Sequence, residues 1–190
     1  LRVSSADEKV WSRLKEIFTD PGLQLVSFSI TEKGYSLYRP DGVAYLPYVQ
    51  ADMENGPEKA TGAMGIVTAM LWARFNAGAL PMAVVSMDNV SKNGAVLQAS
   101  VLQTANEWLS RGFVTEAFLD YLNDESKITF PWSMIDKITP SPAEFVRDML
   151  TEDGVADLAI SVTSKGTRIA PFVNAESPQY LVLEDHFPNG

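Results

Sequence analysis

The chain holds 190 residues, 46% of them hydrophobic and 21% charged, with a formal net charge of −9, enough for one domain with its own core. Acidity of this size argues against nucleic acid or an anionic membrane as a partner, since either needs a basic patch, and no such patch is visible: Arg13/Lys15 and Lys165/Arg168 are no more than pairs. Without cysteine the chain can carry no disulfide and no cysteine-based zinc or redox centre, a composition that suits the cytoplasm.

Apolar residues at Val10, Leu14, Ile17 and Phe18 predict a helix over 6–18, stopped by Asp20-Pro21-Gly22. A mostly apolar run over 23–30 has the length of a strand covered on both faces, and Thr31-Glu32-Lys33-Gly34-Tyr35 is its polar exit. A weaker strand is read over 43–49, with Pro47 placing it at an edge or against strand altogether, and a loop over 52–59. Thr61 is the expected N-cap of a helix through Asn76, ended by Gly78. Gly62-Ala63-Met64-Gly65 reads as a site of close helix packing.

The next buried strand is expected over 82–87, and Asn93 is expected to cap a helix to about Arg111, ended by Gly112. A short helix follows over 113–122 and a polar loop over 123–127. Ser141 or Thr139 would cap a helix over 142–150, where proline suits the first position. The tail carries short strand candidates at 158–162, 168–173 and 180–183. The longest apolar stretch, Met64 to Met87, is broken by Arg74, Asn76 and Pro81 and reads as a helix and a strand, not a membrane span. At the start, Arg2, Asp7, Glu8 and Lys9 interrupt any run of signal-peptide type. The chain opens at Leu1, not methionine, and closes on Asn189-Gly190, so a piece of a longer protein is expected.

Strand and helix alternate, which predicts an α/β fold with a parallel sheet and helices on its faces. A single domain over 1–190 is expected, with about 151–190 an irregular, strand-rich extension of it. Ligands of open α/β sheets bind at the carboxyl ends of strands. Two such exits carry polar clusters, Thr31-Glu32 and Asp88-Asn89; if their strands are neighbours, they line one crevice. Asn89 would then donate to a ligand oxygen that becomes negative during reaction, Asp136 would accept from a sugar hydroxyl, and Asn93 would start a helix with free backbone N–H groups beside it. Plainer readings stand beside these: a turn and an N-cap for Asn89 and Asn93, a solvated acid for Glu32, and a surface pair for Asp136-Lys137. Glu184, Asp185 and His186 are adjacent and read as a solvated edge, not a metal site. Neither a GxGxxG nor a GxxxxGKS motif is present.

Five ordered segments resemble signatures of the mannitol dehydrogenase family, the long-chain polyol and hexuronate oxidoreductases. They are 25–35 (Leu-Val-Ser-Phe-Ser-Ile-Thr-Glu-Lys-Gly-Tyr), 52–57 (Asp-Met-Glu-Asn-Gly-Pro), 86–94 (Ser-Met-Asp-Asn-Val-Ser-Lys-Asn-Gly), 130–140 (Phe-Pro-Trp-Ser-Met-Ile-Asp-Lys-Ile-Thr-Pro) and 178–188 (Pro-Gln-Tyr-Leu-Val-Leu-Glu-Asp-His-Phe-Pro). The resemblance implies a Rossmann-like domain that is incomplete here, its first nucleotide-binding half and the helical C-terminal domain lying outside the chain. It implies reversible hydride transfer between NAD or NADP and a small-molecule sugar or sugar acid: a 2-keto sugar or keto-hexuronate on one side, its polyol or aldonate on the other, without zinc or another metal. By the same resemblance Asn89 matches a catalytic asparagine of the oxyanion hole. Asp136, with Asn93 and Lys137, falls on the substrate side; Glu32 and Asp88 fall on the cofactor side. The family's phosphate-binding turn precedes the matched region and its catalytic lysine follows it. The isolated chain is therefore expected to be inactive and to bind cofactor poorly. The alternative class is a non-catalytic sugar- or nucleotide-binding module, and the oligomeric state is left open.

Overall fold

The computed structural model describes residues 5–135, 141–173 and 181–188. It divides into two compact units, Leu1–Met134 with Val182–Gly190, and Ile135–Leu181.

The first unit is built on a parallel sheet of three strands in the order β1 (Leu25–Phe28), β2 (Met82–Ser86), β3 (Ile128–Thr129). Leu25 faces Ala83 and Phe28 faces Ser86 in register, so β1 and β2 end level with each other. Every residue of β2 is buried, which is why its sequence is a continuous apolar run and not an alternation. Five helices flank the strands: α1 (Glu8–Thr19), α2 (Pro47–Asn55), α3 (Ala63–Asn76), α4 (Asn93–Ser110) and α5 (Glu116–Asn123). The core between them holds Met70 and Leu71 of α3, Leu97 and Trp108 of α4, Phe118 of α5 and Val84 of β2.

The expected strand over 43–49 and loop over 52–59 are replaced by α2 and a 3-10 turn at Pro57–Lys59. Pro47 occupies the first turn of α2, where its missing N–H and fixed φ cost nothing, and Val49, Asp52 and Met53 form the buried stripe. The buried Asp52 carboxylate accepts from the Thr61 N–H at 2.8 Å, the Thr61 hydroxyl at 2.9 Å and the Gly62 N–H at 2.8 Å. It thus caps α3 from another helix, where Thr61 was the expected cap; the N-cap position itself is Gly62. Close packing at 62–65 is present: a Cβ on Gly65 would run into the Asp52 carboxylate.

At the other end of α3, Arg74 is 1% exposed and its guanidinium is matched to backbone carbonyls. Nε donates to Leu80, Nη1 to Phe18 and Asp20, and Nη2 to Leu23 and Pro81, at 2.6–3.1 Å. The Arg74 cage ties the C-terminus of α1 and the entries to β1 and β2 into one joint. Burial lowers the Arg74 pKa from its ordinary value and pushes that of Tyr121, whose hydroxyl also donates to Leu80, up to about 12.

Two short strands close the first unit, β4 (Ser133–Met134) antiparallel to β7 (Val182–Leu183). The second unit contains α6 (Glu144–Glu152) and an antiparallel pair, β5 (Ser161–Val162) with β6 (Arg168–Ile169). The helix starts two residues later than expected, with Ala143 as N-cap; Thr139 lies outside the described residues. Among the described residues no helix is long and apolar enough to cross a membrane.

Candidate active site

The level ends of β1 and β2 put both polar exits at one edge of the sheet, as the sequence predicts for neighbouring strands. The chain leaves β1 through Ser29 and Ile30 and then turns at Thr31, with φ 65° and ψ 159°. That region belongs almost entirely to glycine and costs a threonine on the order of 1–3 kcal/mol. The cost is offset by Asp88 at the exit of β2. Its carboxylate accepts from the Ser29 hydroxyl at 2.6 Å, the Ile30 N–H at 2.8 Å, the Thr31 N–H at 3.0 Å and the Tyr35 hydroxyl at 2.6 Å. Asp88 is 6% exposed. Burial opposes its charge, but the four donors outweigh it and hold the carboxyl below its ordinary pKa. Burial, with the bond to Asp88, raises the Tyr35 pKa. With Asp88 ionised, the single Tyr35 proton goes to the carboxylate, which makes the Ser86 hydroxyl, 2.6 Å away, the donor to Tyr35.

Asn93 is the first residue of α4, not its cap; Lys92 holds the N-cap position in a left-handed conformation. The Asn93 side chain is buried and latches the segment after β3. Its amide nitrogen donates to the Ser133 carbonyl at 3.0 Å and hydroxyl at 2.8 Å and lies 3.1 Å from the Asp88 carbonyl; its oxygen accepts from the N–H of Ser133 at 3.0 Å and of Gly94 at 2.8 Å. The Ser133 hydroxyl also donates to the Ser86 carbonyl. Gly94 is required at this crossing: a Cβ there would strike the Phe130 carbonyl and lie 2.6 Å from Cδ1 of Trp132.

Asn89 follows Asp88 and is exposed, as is Glu32 immediately after the Thr31 turn. Lys92 places its ammonium 5.9 Å from the centroid of the Trp132 ring. Thus Glu32, Asp88, Asn89 and Asn93 meet at one edge, while Asp136 and Lys137 lie outside the described residues. Asp88 and Asn93 direct their polar atoms into the protein; Asn89 and Glu32 sit on the surface of the same edge. Sequence reasoning missed Ser29, Tyr35, Ser86 and Ser133 as partners. The available signal was a hydroxyl residue placed where each apolar strand meets its polar exit. Among the described residues no group of three His, Cys, Asp or Glu side chains could hold a metal ion. A groove of about 300 Å³, lined among the described residues by residues 35–38 with Ala99, Ser100 and Gln103, includes none of Glu32, Asp88, Asn89 and Asn93.

A parallel sheet flanked by helices, with two adjacent strand exits furnished with amides and carboxylates, has the architecture of part of a Rossmann-type domain, a class in which ligands bind at the carboxyl ends of strands. A model of the mannitol dehydrogenase Rossmann domain matches residues 10–184, and the chain belongs to that family. It is 52% identical over 180 residues to a D-mannonate oxidoreductase of Thermotoga maritima, covering 95% of this chain and 33% of that protein. It is 32% identical over 182 residues to a mannitol 2-dehydrogenase of Cereibacter sphaeroides, covering 93% and 33%. Among solved structures, mannitol 2-dehydrogenase of Pseudomonas fluorescens in a ternary complex with NAD and D-mannitol matches with a TM-score of 0.61 and 29% identity, over 96% of this chain and 34% of that one. The chain therefore spans about a third of the length of the curated relatives it matches.

Proposed function

We propose that this chain supplies one wall of the active site of an NAD(P)-dependent oxidoreductase that interconverts a keto-hexuronate and its aldonate, with ketose and polyol as the neighbouring substrate pair. The observation that carries the proposal is the exposed Asn89 at the shared edge of β1 and β2, next to a carboxylate and an amide that are both anchored internally. Asn89 donates to the substrate oxygen that changes between carbonyl and alkoxide, where a positioned amide favours the more negative form. By the family resemblance Asp136, Lys137 and Asn93 are assigned to the sugar. Glu32 lies on the cofactor side, beside the turn that Asp88 anchors. NAD, when bound, supplies the hydride donor and acceptor pair; the ternary complex of the Pseudomonas fluorescens relative supports NAD as the nucleotide. The greater identity to a D-mannonate oxidoreductase than to a mannitol 2-dehydrogenase favours the sugar acid over the polyol.

The test is oxidation of NADH and NADPH by the full-length product of the reading frame that carries this segment. The substrates are fructuronate, tagaturonate, fructose and fructose 6-phosphate. Turnover highest on a hexuronate is the expected result. A folded protein that turns over none of the four would replace this proposal with a binding module lacking the chemistry.

A further inference from the structure

We propose that Asp88 is a positioning residue for Asn89, and that Ser29, Tyr35 and the strained Thr31 turn are the fixture on which it acts; this rests on the dehydrogenase reading above. An exposed asparagine in a strand exit is a poor hydrogen-bond donor to a reacting oxygen unless its backbone is held, because catalytic hydrogen bonding depends on a pre-set geometry. The residue before Asn89 is held from two directions. The Asp88 side chain takes four donors from the β1 exit. The Asp88 carbonyl accepts from Val90 N–H at 2.8 Å and lies 3.1 Å from the Asn93 amide. Asn89 is therefore the exposed link between two fixed neighbours, Asp88 and Val90.

The strain at Thr31 shows which way the structure is biased. A Thr31 turn in the glycine region would relax if released, and two of the Asp88 bonds go to the N–H groups of Ile30 and Thr31 that define this turn. The carboxylate is fully engaged in this task, so it acts through Asn89 and the turn and not by touching a ligand. Asparagine in its place would present an NH₂ group to donors on at least one side and lose part of the clamp.

The experiment is a double-mutant cycle in the full-length protein on its best keto substrate, with kcat and KM measured for wild type, Asp88→Asn, Asn89→Ala and the double variant. Ser29→Ala, which removes one clamp donor and leaves the carboxylate, is the milder variant should Asp88→Asn fail to fold. The expected result is a kcat at least about tenfold lower in Asp88→Asn, a smaller fall in Ser29→Ala, and little change in KM for the nucleotide, since displacement by about an ångström suffices for such losses. In the Asn89→Ala background, either clamp substitution should then lower kcat no further. Full additivity of the two losses, or a rise in nucleotide KM with unchanged kcat, would overturn the positioning role while leaving the dehydrogenase reading intact. A folded wild type without turnover on any keto substrate would remove both.

Discussion

Among the described residues three buried charged side chains organise the first unit: Asp52 is satisfied mainly by backbone N–H groups at the start of α3, Arg74 by five carbonyls, and Asp88 by two N–H groups and two hydroxyls at the exit of β1. For Asp88 the consequence is a defined pH dependence. Its folded-state pKa is lowered, so the stability it adds is complete above the ordinary carboxylate value of about pH 4 and is lost as pH falls through the lower folded value. Asp88→Asn should therefore lower stability by about 1–3 kcal/mol at neutral pH. In urea melts of the two proteins that gap should hold down to about pH 5 and close below about pH 4; a gap that widens on acidification would contradict the clamp. That Asp88 and Asn93 stand at a strand exit was legible because polar groups follow an apolar strand. Their inward direction was not, since Ser29, Tyr35 and Ser133 are 59, 53 and 40 residues away along the chain.

At the scale of elements, the sites of tightest packing are glycines beside helix starts. In an isolated helix alanine would be preferred to Gly94 by about 1 kcal/mol. Here the added methyl meets the backbone carbonyl of Phe130, one residue beyond β3. Gly94→Ala should cost a net of about 2 kcal/mol in chemical denaturation, and a neutral or stabilised variant would mean that the 130–132 segment packs more loosely on the start of α4. Periodicity and breakers revealed α1, β1, α3, β2, α4 and α5, because each is long enough to repeat its pattern. They failed for α2, where Pro47 weakens a strand and suits a helix start equally well. They failed also for β3, which is two residues long and is a strand only because Met82 and Ala83 pair with it.

At the scale of the whole molecule, the sheet edge gathers an amide and a carboxylate on the surface above two anchored polar side chains. The family relation gives that edge its proposed chemistry. The chain covers a third of its curated relatives, so the opposite wall of the site is assigned, as a proposal, to the remainder of the protein. The isolated 190-residue chain should then show no NAD(P)H-dependent reduction of a substrate that the full-length protein reduces; turnover by the isolated chain would place the whole catalytic set within it. The most direct test of the central assignment is the rate of hydride transfer in single-turnover experiments on full-length wild type and Asn89→Ala. The account predicts a loss on the order of 10²–10³-fold in that rate, the scale for removing one donor to a developing oxyanion, with nucleotide binding unchanged. A hydride-transfer rate equal to wild type would contradict it and remove Asn89 from the reaction.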